Sequence, residues 1–290
     1  MKFPFQNVAL IGKYKAPEIA GPLLQLAAFL KAKGLTVAVD SLTAEHLKDC
    51  SCPAMKLEDM ACSMDLAIVL GGDGTMLNIA RTLSPCHVPL IGVNQGRLGF
   101  LTDLTLDNMQ ESIAAMLEGK FVIEQRLLLI ARVLRNDVEV FSGLAFNDVV
   151  LHRNNTSSMI EFEVRVDGEY LYNQRADGLI VSTPTGSTAY AMSAGGPILH
   201  PSLDVLELVP ICPHTLSNRP IVVKSSSVLE ILVHRTGDIR ARLDSHTSFD
   251  LQLHDKIIVT RHPEPACLLH PVGHSYYHTL REKLLWNQTL

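Results

Sequence analysis

The chain has 290 residues, which is enough for about two domains. Hydrophobic residues make up 47% and charged residues 19%, a composition that favours packed cores and excludes a largely disordered chain. The formal net charge of −5 argues against binding of a nucleic-acid polymer. The first apolar run is too short for a signal peptide, and no apolar stretch approaches the ~18 residues of a membrane span. We therefore expect a cytoplasmic protein with neither a nucleic-acid nor a membrane partner.

The six cysteines predict free thiols rather than a disulfide framework. Cys50, Cys52 and Cys62 form the tightest group, but no second pair at zinc-site spacing accompanies them. A chain of this length without a secretion signal has no evident need for disulfides.

Among the twelve histidines, His270, His274 and His278 recur at intervals of four. Pro271 and Gly273 fall between them, so a continuous helical face is not expected. Because metal ligands must converge, the pattern favours scattered histidines and no metal site built from protein side chains.

Short apolar runs alternate with helical patterns over the first ~120 residues, which is typical of parallel βα units. The predicted strands cover residues 8–11, 35–39, 66–70 and 89–93. The predicted helices cover residues 17–33, 76–83 and 107–118, the last opened by a capping box from Asp107 to Gln110.

The pattern changes after Phe121 to short alternating runs with polar turns, which predicts a mostly antiparallel β domain. Asn136-Asp137 and Asp167-Gly168 are expected to be hairpin turns, and residues 187–194 a short helix. A last helix with Leu280, Leu284 and Trp286 on one face should dock on an apolar surface.

A glycine-rich turn, Gly71-Gly72-Asp73-Gly74-Thr75, connects the third strand to its helix. Such a turn lets the backbone approach a phosphate, and the following helix offers free N–H groups. It is neither a P-loop nor a Gly-x-Gly-x-x-Gly dinucleotide loop. A carboxylate would repel a phosphate, so Asp73 suggests a base for a hydroxyl or a ligand for a bridging metal ion. The alternative is that Asp73 simply caps the helix.

Three further segments carry polar residues where a ligand could bind. Asn94–Asp103 follows the fourth strand, at the strand end where open sheets bind ligands. Phe146-Asn147-Asp148 lies in a β run and could bury a polar side chain against an adenine edge or a ribose diol, although it also suits a turn. In Arg175–Pro197 a strand ends in small hydroxyl residues that suit either a flat base or tight packing.

The Gly71–Thr75 turn resembles the signature shared by NAD kinases, diacylglycerol and sphingosine kinases and, in related form, 6-phosphofructokinases. The segment Arg175–Pro197 is similar to the long second motif of bacterial NAD kinases, which the other families lack. Residues 203–210, 213–220 and 243–245 also resemble that family, so the resemblance covers nearly the whole chain in order.

This resemblance implies a Rossmann-like or phosphofructokinase-like α/β domain over residues 1–122 and a β-rich, sandwich-like dinucleotide-binding domain over 123–270. A tail over 271–290 is expected to pack back on the first domain. The implied reaction transfers phosphate from ATP, with a divalent metal such as Mg²⁺, to the adenosine ribose 2′-hydroxyl of NAD⁺, giving NADP⁺ and ADP. The implied assembly is a homo-oligomer, a tetramer rather than a dimer, that pairs through its β domains.

The resemblance also implies a role for individual residues. Asp73 matches the proton acceptor, and Gly74 a dinucleotide contact beside it. We assign phosphate binding to the backbone of the Gly71–Thr75 turn, including Gly72, and charge neutralisation to Mg²⁺ with Arg175 and Arg97. The remaining matches to dinucleotide contacts are Asn147, Asp148, Arg175, Asp177, Thr188, Ala189, Tyr190 and Ser193.

Two positions depart from the family pattern. His246 stands after Asp244-Ser245 where some relatives bind through glutamine, and Ser158 stands where some have histidine. We count His246 among the dinucleotide contacts, and both departures concern affinity and regulation more than the reaction.

Two other functions share part of the pattern. A lipid kinase could carry the same turn, but the chain lacks a membrane segment and a basic amphipathic helix. A non-catalytic dinucleotide sensor could bind NAD(P) and signal through its oligomer, although Asp73 favours an enzyme. Formation of NADP⁺ from ATP, Mg²⁺ and NAD⁺ would separate the three.

Overall fold

A computed structural model describes residues 5–14, 16–47, 50–96, 98–153, 159–235 and 239–286. The chain forms two compact units. The first comprises residues 1–125 and 266–290, and the second residues 126–265. Arg97 and Ser158, two residues singled out from the sequence, lie outside the described residues.

The strands and helices of the described residues are numbered here in chain order. The strands are β1 (Asn7–Gly12), β2 (Thr36–Asp40), β3 (Ala54–Met55), β4 (Leu66–Leu70), β5 (Leu90–Asn94), β6 (Leu104–Thr105), β7 (Phe121–Arg126), β8 (Leu129–Arg135), β9 (Val138–Ala145), β10 (Asp148–Arg153), β11 (Ile160–Val166), β12 (Glu169–Ala176), β13 (Gly178–Ser182), β14 (Val205–Ile211), β15 (Ile221–Lys224), β16 (Leu229–Arg235), β17 (Ile239–Leu243), β18 (Thr247–Leu251), β19 (Lys256–Arg261) and β20 (Ala266–Pro271). The α-helices are α1 (Ala20–Ala32), α2 (Ser41–Ala44), α3 (Leu57–Ser63), α4 (Asp73–Leu83), α5 (Met109–Leu117), α6 (Tyr190–Ser193) and α7 (Tyr276–Leu284).

The first unit is built on an eight-stranded sheet in the order β3-β2-β1-β4-β5-β20-β7, with β6 also paired to β5. Strands β1 to β6 pair in parallel, as the alternating pattern predicts. Strand β4 is fully buried because helices cover the sheet, which explains its continuous apolar run. Parallel pairing of β4 and β5 brings the segments that follow them to the same edge of the sheet.

Two details of the first unit differ from the sequence-based predictions. The capping box proposed from Asp107 to Gln110 is wrong: α5 begins at Met109, and the Asn108 side chain instead accepts a hydrogen bond from Thr105 N. The strand Ala266–Pro271, expected in the β domain, pairs in parallel with β5. A short apolar run does not reveal which sheet it will join.

The second unit is a sandwich of two six-stranded antiparallel sheets, ordered β15-β14-β13-β10-β17-β18 and β12-β11-β16-β19-β8-β9. One hydrophobic core takes residues from both sheets, for example Leu151 from the first and Phe162 from the second. Asn136, Asp137 and Asp167 have positive φ, as the predicted two-residue hairpins require. The α/β-plus-sandwich fold class is confirmed.

The carboxyl-terminal helix docks differently from the prediction. Ser275 caps α7, and Leu280 is 4% exposed, so the helix does bury an apolar face. Trp286, however, lies beyond the helix end, after Leu285 with φ +58, and is 59% exposed. Among the described residues no helix is long and apolar enough to cross a membrane.

Candidate active site

The Asp73 carboxylate is fixed by the loop that follows β5. Its Oδ2 accepts a hydrogen bond from Phe100 N at 2.9 Å, and its Oδ1 accepts from Leu101 N at 3.0 Å and Thr102 Oγ1 at 3.3 Å. Gly72 occupies the N-cap position of α4, and no cap hydrogen bond from a side chain accompanies it. Asp73 therefore links two loops and is not a simple helix cap.

Close packing around Asp73 explains why this loop is rich in glycine. A side chain at Gly99 would overlap both Asp73 Oδ1 and Thr102 Oγ1, and a Cβ at Gly92 would lie 2.6 Å from Leu101 O. Asn94 Nδ2 donates to Thr102 Oγ1 at 2.9 Å, which orients the hydroxyl that faces Asp73. The Asn94–Asp103 segment therefore holds the Asp73 carboxylate in place.

The glycine turn itself joins the buried end of β4 to α4. Gly71 N donates to Val93 O at 2.9 Å, which ties the turn to the end of β5. Gly74 is exposed, and the first N–H groups of an α-helix have no partner within the helix. The turn is therefore suited to an anion, with the Asp73 carboxylate held beside it.

In the second unit, a buried aspartate holds the segment that contains Asn147. The Asp244 carboxylate accepts hydrogen bonds from Phe146 N and Asn147 N, both at 2.7 Å, and from Asp148 N at 3.1 Å. Asp244 has φ +48 and is the first of the three turn residues between β17 and β18. Phe146 and Asn147 form a bend, and Asp148 begins β10.

The carbonyl side of the same bend is held by the segment after β13. Thr183 Oγ1 donates to Phe146 O at 2.7 Å, and Thr183 N donates to Asn147 O at 2.9 Å. Any Cβ at Gly186 would overlap Asn147 O. Hydrogen bonds to both the N–H and the C=O of Asn147 therefore fix the backbone at this residue. The side chains of Asn147 and Asp148 project from this rigid segment.

Two buried carboxyl groups lie in one row across the sheet, because Asp148 pairs with Ser182 and Ser182 pairs with Glu207. Burial, followed by the nearby charge of Asp244, raises the pKa of Asp148 to about 7. Burial alone raises the pKa of Glu207 to about 7. Both oxygens of Glu207 are buried without a hydrogen-bond partner among the described residues.

The other predicted dinucleotide contacts of the second unit divide into two groups. Thr188, Ala189, Tyr190 and Ser193 belong to the short helical segment after β13, where Tyr190 is 46% exposed and Ser193 is exposed. His246 is exposed at the turn after β17, two residues beyond Asp244. Asp244 and Thr183, which hold the Phe146–Asn147 bend, belong to the segments that lead into these two groups.

Arg175 and Asp177 lie elsewhere in the same unit. Asp177 precedes β13 and accepts a hydrogen bond from Arg153 at 2.9 Å, while Arg175 lies 3.9 Å from Glu161 on the paired strand. Ser182, beside Asp148, ends β13 five residues further on. At about 3.3 Å per residue the two ends are roughly 17 Å apart. Within one chain these residues are not brought beside Asp148.

Sequence reasoning missed several residues that build the site: Gly99, Thr102, Asp244 as a backbone acceptor, and Glu207. The only available signals were the Gly-Phe-Leu-Thr run and an Asp-Ser turn between two strands. The partners of Asp73 and Asp244 are 27 to 98 residues away in sequence.

The α/β unit holds a carboxylate beside a glycine turn that suits an anion, and the β sandwich presents a rigid polar bend, an arrangement that favours a kinase acting on a hydroxyl group. The model of the ATP-NAD kinase N-terminal domain matches residues 8–121, and that of the ATP-NAD kinase C-terminal domain matches residues 146–270. The chain belongs to the ATP-NAD kinase family, and it is an ATP-dependent NAD kinase.

Curated relatives and solved structures agree with this assignment. The chain is 59% identical to the NAD kinase of Nitrosomonas europaea, over 99% of this chain and 97% of the relative. It is 50% identical to the NAD kinase of Thiobacillus denitrificans over the full length of both. Yeast NADH kinase complexed with NADH has a TM-score of 0.90 at 26% identity, covering 99% of this chain and 89% of that chain. An Archaeoglobus fulgidus NAD kinase in complex with ATP has a TM-score of 0.73 at 26% identity, covering 97% of each chain.

Substitution of Gly99 by alanine should lower turnover about 10- to 100-fold. The added methyl group occupies the space of Asp73 Oδ1 and Thr102 Oγ1, so the carboxylate must move, and misplacement of a reacting group by about 1 Å has costs of this size. Steady-state kinetics of NADP⁺ formation would measure the loss.

Gly96→Ala is the matched control, because a Cβ at Gly96 meets nothing within 4 Å in the same loop. It should retain clearly more activity than Gly99→Ala. Equal turnover of the two variants would refute the close-packing argument.

Substitution of Glu207 by glutamine should remove a pH dependence of stability. An unfolded glutamate titrates near pH 4.3, whereas the pKa of Glu207 is raised to about 7 in the fold. Between these values the folded state binds more protons, so stability falls as the pH rises through this window and stays lower above it.

The free energy of unfolding of Glu207→Gln, measured with urea, should therefore rise by about 3 kcal/mol relative to that of the parent when the pH is raised from 4 to 8. Glu169→Gln, at an exposed carboxyl of β12, should leave the pH profile unchanged. A parallel pH profile for Glu207→Gln and the parent would contradict the raised pKa.

Proposed function

We propose that this kinase transfers the γ-phosphoryl group of ATP to the 2′-hydroxyl of the adenosine ribose of NAD⁺, with Asp73 as the proton acceptor. The observation that carries the assignment is the fixed Asp73 carboxylate beside a glycine turn. Oδ2 accepts one hydrogen bond, whereas Oδ1 accepts two, so Oδ2 retains capacity for the substrate hydroxyl. Positioning of that hydroxyl and removal of its proton are both tasks for this group.

Because Gly71 N donates to Val93 O and Thr75 N donates to Gly72 O, the backbone N–H groups of Gly72 and Gly74 would bind the phosphate oxygens of ATP, and Gly71 and Thr75 would shape the turn. Phosphoryl transfer depends mainly on alignment and on neutralisation of charge, and a helix amino terminus contributes to both. Mg²⁺ usually rests on one or two carboxylates together with substrate phosphates. Since the turn offers one carboxylate that already accepts three hydrogen bonds, Mg²⁺ would be held chiefly by the phosphates, where it neutralises charge.

The second unit would bind the dinucleotide. We assign the contacts to residues on the Asn147 bend and on the two segments that hold it: Asn147, Asp148, Thr188, Ala189, Tyr190, Ser193 and His246. A carboxyl with a pKa of about 7 is partly protonated near neutral pH, so Asp148 can accept from a ribose hydroxyl or donate to an acceptor of the nucleotide. A buried polar group of this kind discriminates strongly against ligands that leave it unpaired.

Arg175 and Asp177 support a homo-oligomer, which the family resemblance leads us to expect as a tetramer rather than a dimer. They lie roughly 17 Å along β13 from the Asn147 bend, so they would complete the dinucleotide site of a neighbouring subunit rather than that of their own chain. The Arg175 side chain is 54% exposed in one chain and thus accessible to a partner.

We place the reaction in the cytoplasm, where all six cysteines, free as predicted, would remain reduced. The sequence alone also allowed a lipid kinase and a non-catalytic dinucleotide sensor, and the same assay distinguishes the NAD kinase from both. Purified protein with ATP, Mg²⁺ and NAD⁺ should form NADP⁺. Binding of NAD⁺ without product would favour the sensor, and phosphorylation of a lipid substrate alone would favour the lipid kinase.

Asp73→Asn and Asp148→Ala should separate chemistry from binding. Asp73→Asn should reduce kcat at least ~100-fold with little change in NAD⁺ affinity, because it removes the proton acceptor. Asp148→Ala should weaken NAD⁺ binding by about 1–3 kcal/mol, the usual cost of removing one buried hydrogen-bond partner.

Initial-rate kinetics and calorimetric titration with NAD⁺ would give the two values. Near-normal turnover of Asp73→Asn would refute its catalytic assignment. An Asp148→Ala enzyme that binds and turns over NAD⁺ like the parent would show that the dinucleotide site lies elsewhere.

Subunit exchange would test the assembly. Chains carrying Asp73→Asn and chains carrying Asp177→Ala should each have low activity, and mixing them should restore roughly a quarter of the parent activity, because mixed pairs contain one intact site. Light scattering should give a multiple of the chain mass, and dilution should lower specific activity. A monomer with full activity at nanomolar concentration would rule the assembly out.

A further inference from the structure

The first unit contains a largely buried cluster of two histidines, from its carboxyl-terminal segment, and two carboxylates. His270 lies near the end of β20, and His274 lies between β20 and α7. Asp103 directly follows Thr102, and Glu124 belongs to β7. None of these four residues has a role in the catalytic or dinucleotide assignments above.

A tight turn, rather than a helical face, brings the two histidines together. His274 N donates to Pro271 O at 3.1 Å, and Gly273 has φ +95, which a side chain would disfavour at the third turn position. The two imidazole rings stack with their centroids 4.0 Å apart and their planes 15° apart. The turn, and not a helix, therefore places two side chains four residues apart next to each other.

Both rings direct the same nitrogen at one carboxylate. His270 Nδ1 and His274 Nδ1 each lie 3.0 Å from Asp103 Oδ2. The three ligand atoms lie within 4.8 Å of one another. The side chains are 2%, 14% and 9% exposed for His270, His274 and Asp103, respectively. Three side chains of types that bind metal ions therefore converge in a site that is largely inaccessible to solvent.

Two observations within this cluster point to a missing partner. Asp103 Oδ1 is buried without a hydrogen-bond partner among the described residues. An unpaired buried polar atom is costly, and native proteins keep few of them. The other ring nitrogen of His270, Nε2, lies 2.9 Å from Glu124 Oε2. A carboxylate behind a histidine is the usual outer-sphere arrangement of metal sites, where it fixes the tautomer and the ring orientation.

We propose that Asp103, His270 and His274 bind a divalent transition-metal ion, Zn²⁺ or Co²⁺, with Glu124 as the outer-sphere partner of His270. Imidazole and carboxylate donors suit these ions, with metal–ligand distances of about 2.0–2.2 Å. Ligand atoms of a tetrahedral site lie about 3.4 Å apart, so the two 3.0 Å distances must open by about 0.4 Å, and one of the stacked rings must turn so that the ion lies in the plane of both. Asp103 Oδ1 or a water molecule would complete the coordination.

A proton is the competing occupant of the same space. Burial lowers the pKa of His270, but the hydrogen bonds and charges of Asp103 and Glu124 outweigh it and raise the pKa to about 9. A protonated His270 between two carboxylates would satisfy both of its nitrogens. The metal must displace this proton, so its binding should weaken as the pH falls.

The site would connect the carboxyl-terminal segment to the loop that holds Asp73. Asp103 adjoins Thr102, whose hydroxyl contacts Asp73. A metal ion at Asp103 would therefore stabilise the first unit where the tail, β20 and this loop meet. The proposal can be tested independently of the kinase assignment, because metal binding and thermal stability are measured without the reaction.

The test uses the full-length protein after treatment with a chelator and its removal. Zn²⁺ titration by calorimetry at pH 7.5 should show one site per chain. Co²⁺ should give the visible absorption bands of a four-coordinate site, and either ion should raise Tm. His274→Ala and the isosteric Asp103→Asn should abolish this binding, and Glu124→Gln should weaken it about 10- to 100-fold.

His278→Ala is the matched control, since His278 lies four residues further on and is exposed on α7. It should bind metal like the parent. The proposal is overturned if the parent shows no stoichiometric site, if Asp103→Asn retains full affinity, or if His278→Ala abolishes binding. Folding of each variant is checked by circular dichroism, and Asp103→Asn remains the decisive variant if His274→Ala does not fold.

Discussion

The hydrogen bonds between the Asp73 carboxylate and the loop at Phe100–Thr102 are the constraint on which the candidate site of the first unit depends. They join the segments that follow β4 and β5, two neighbouring parallel strands. The loop must approach the carboxylate closely, and Gly92 and Gly99 permit it. The position of the Asp73 carboxylate thus determines which residues the surrounding loop can contain.

In the second unit, an aspartate carboxylate likewise accepts backbone hydrogen bonds, but there it fixes a bend in the chain. Asp244 accepts three backbone hydrogen bonds from the Phe146–Asp148 segment, and Thr183 binds the carbonyl side. Hydrogen bonds to a charged acceptor are stronger than those between neutral groups, so a bend without regular secondary structure becomes rigid. Functional side chains on such a bend lose little entropy when a ligand binds.

Buried carboxyl groups are the main energetic cost of this arrangement. Asp148 and Glu207 lie in one row of the sheet, and burial raises the pKa of each to about 7. A sandwich built only for stability would place apolar residues there. At Asp148 the cost is consistent with a binding role, since a buried group without its partner favours the ligand that supplies one.

The sequence by itself determined the order of the elements, the two-part architecture and the family, because these depend on local patterning. The apolar run at residues 66–70, the glycine turn after it and the Asn136-Asp137 hairpin follow from periodicity and backbone preference. Only the tertiary structure decided that Asp73 meets residues 100–102, that β20 joins the parallel sheet, and that His270 and His274 share Asp103. Contacts of this kind join residues far apart in the chain, and they depend on strand pairing and close packing that no local pattern encodes.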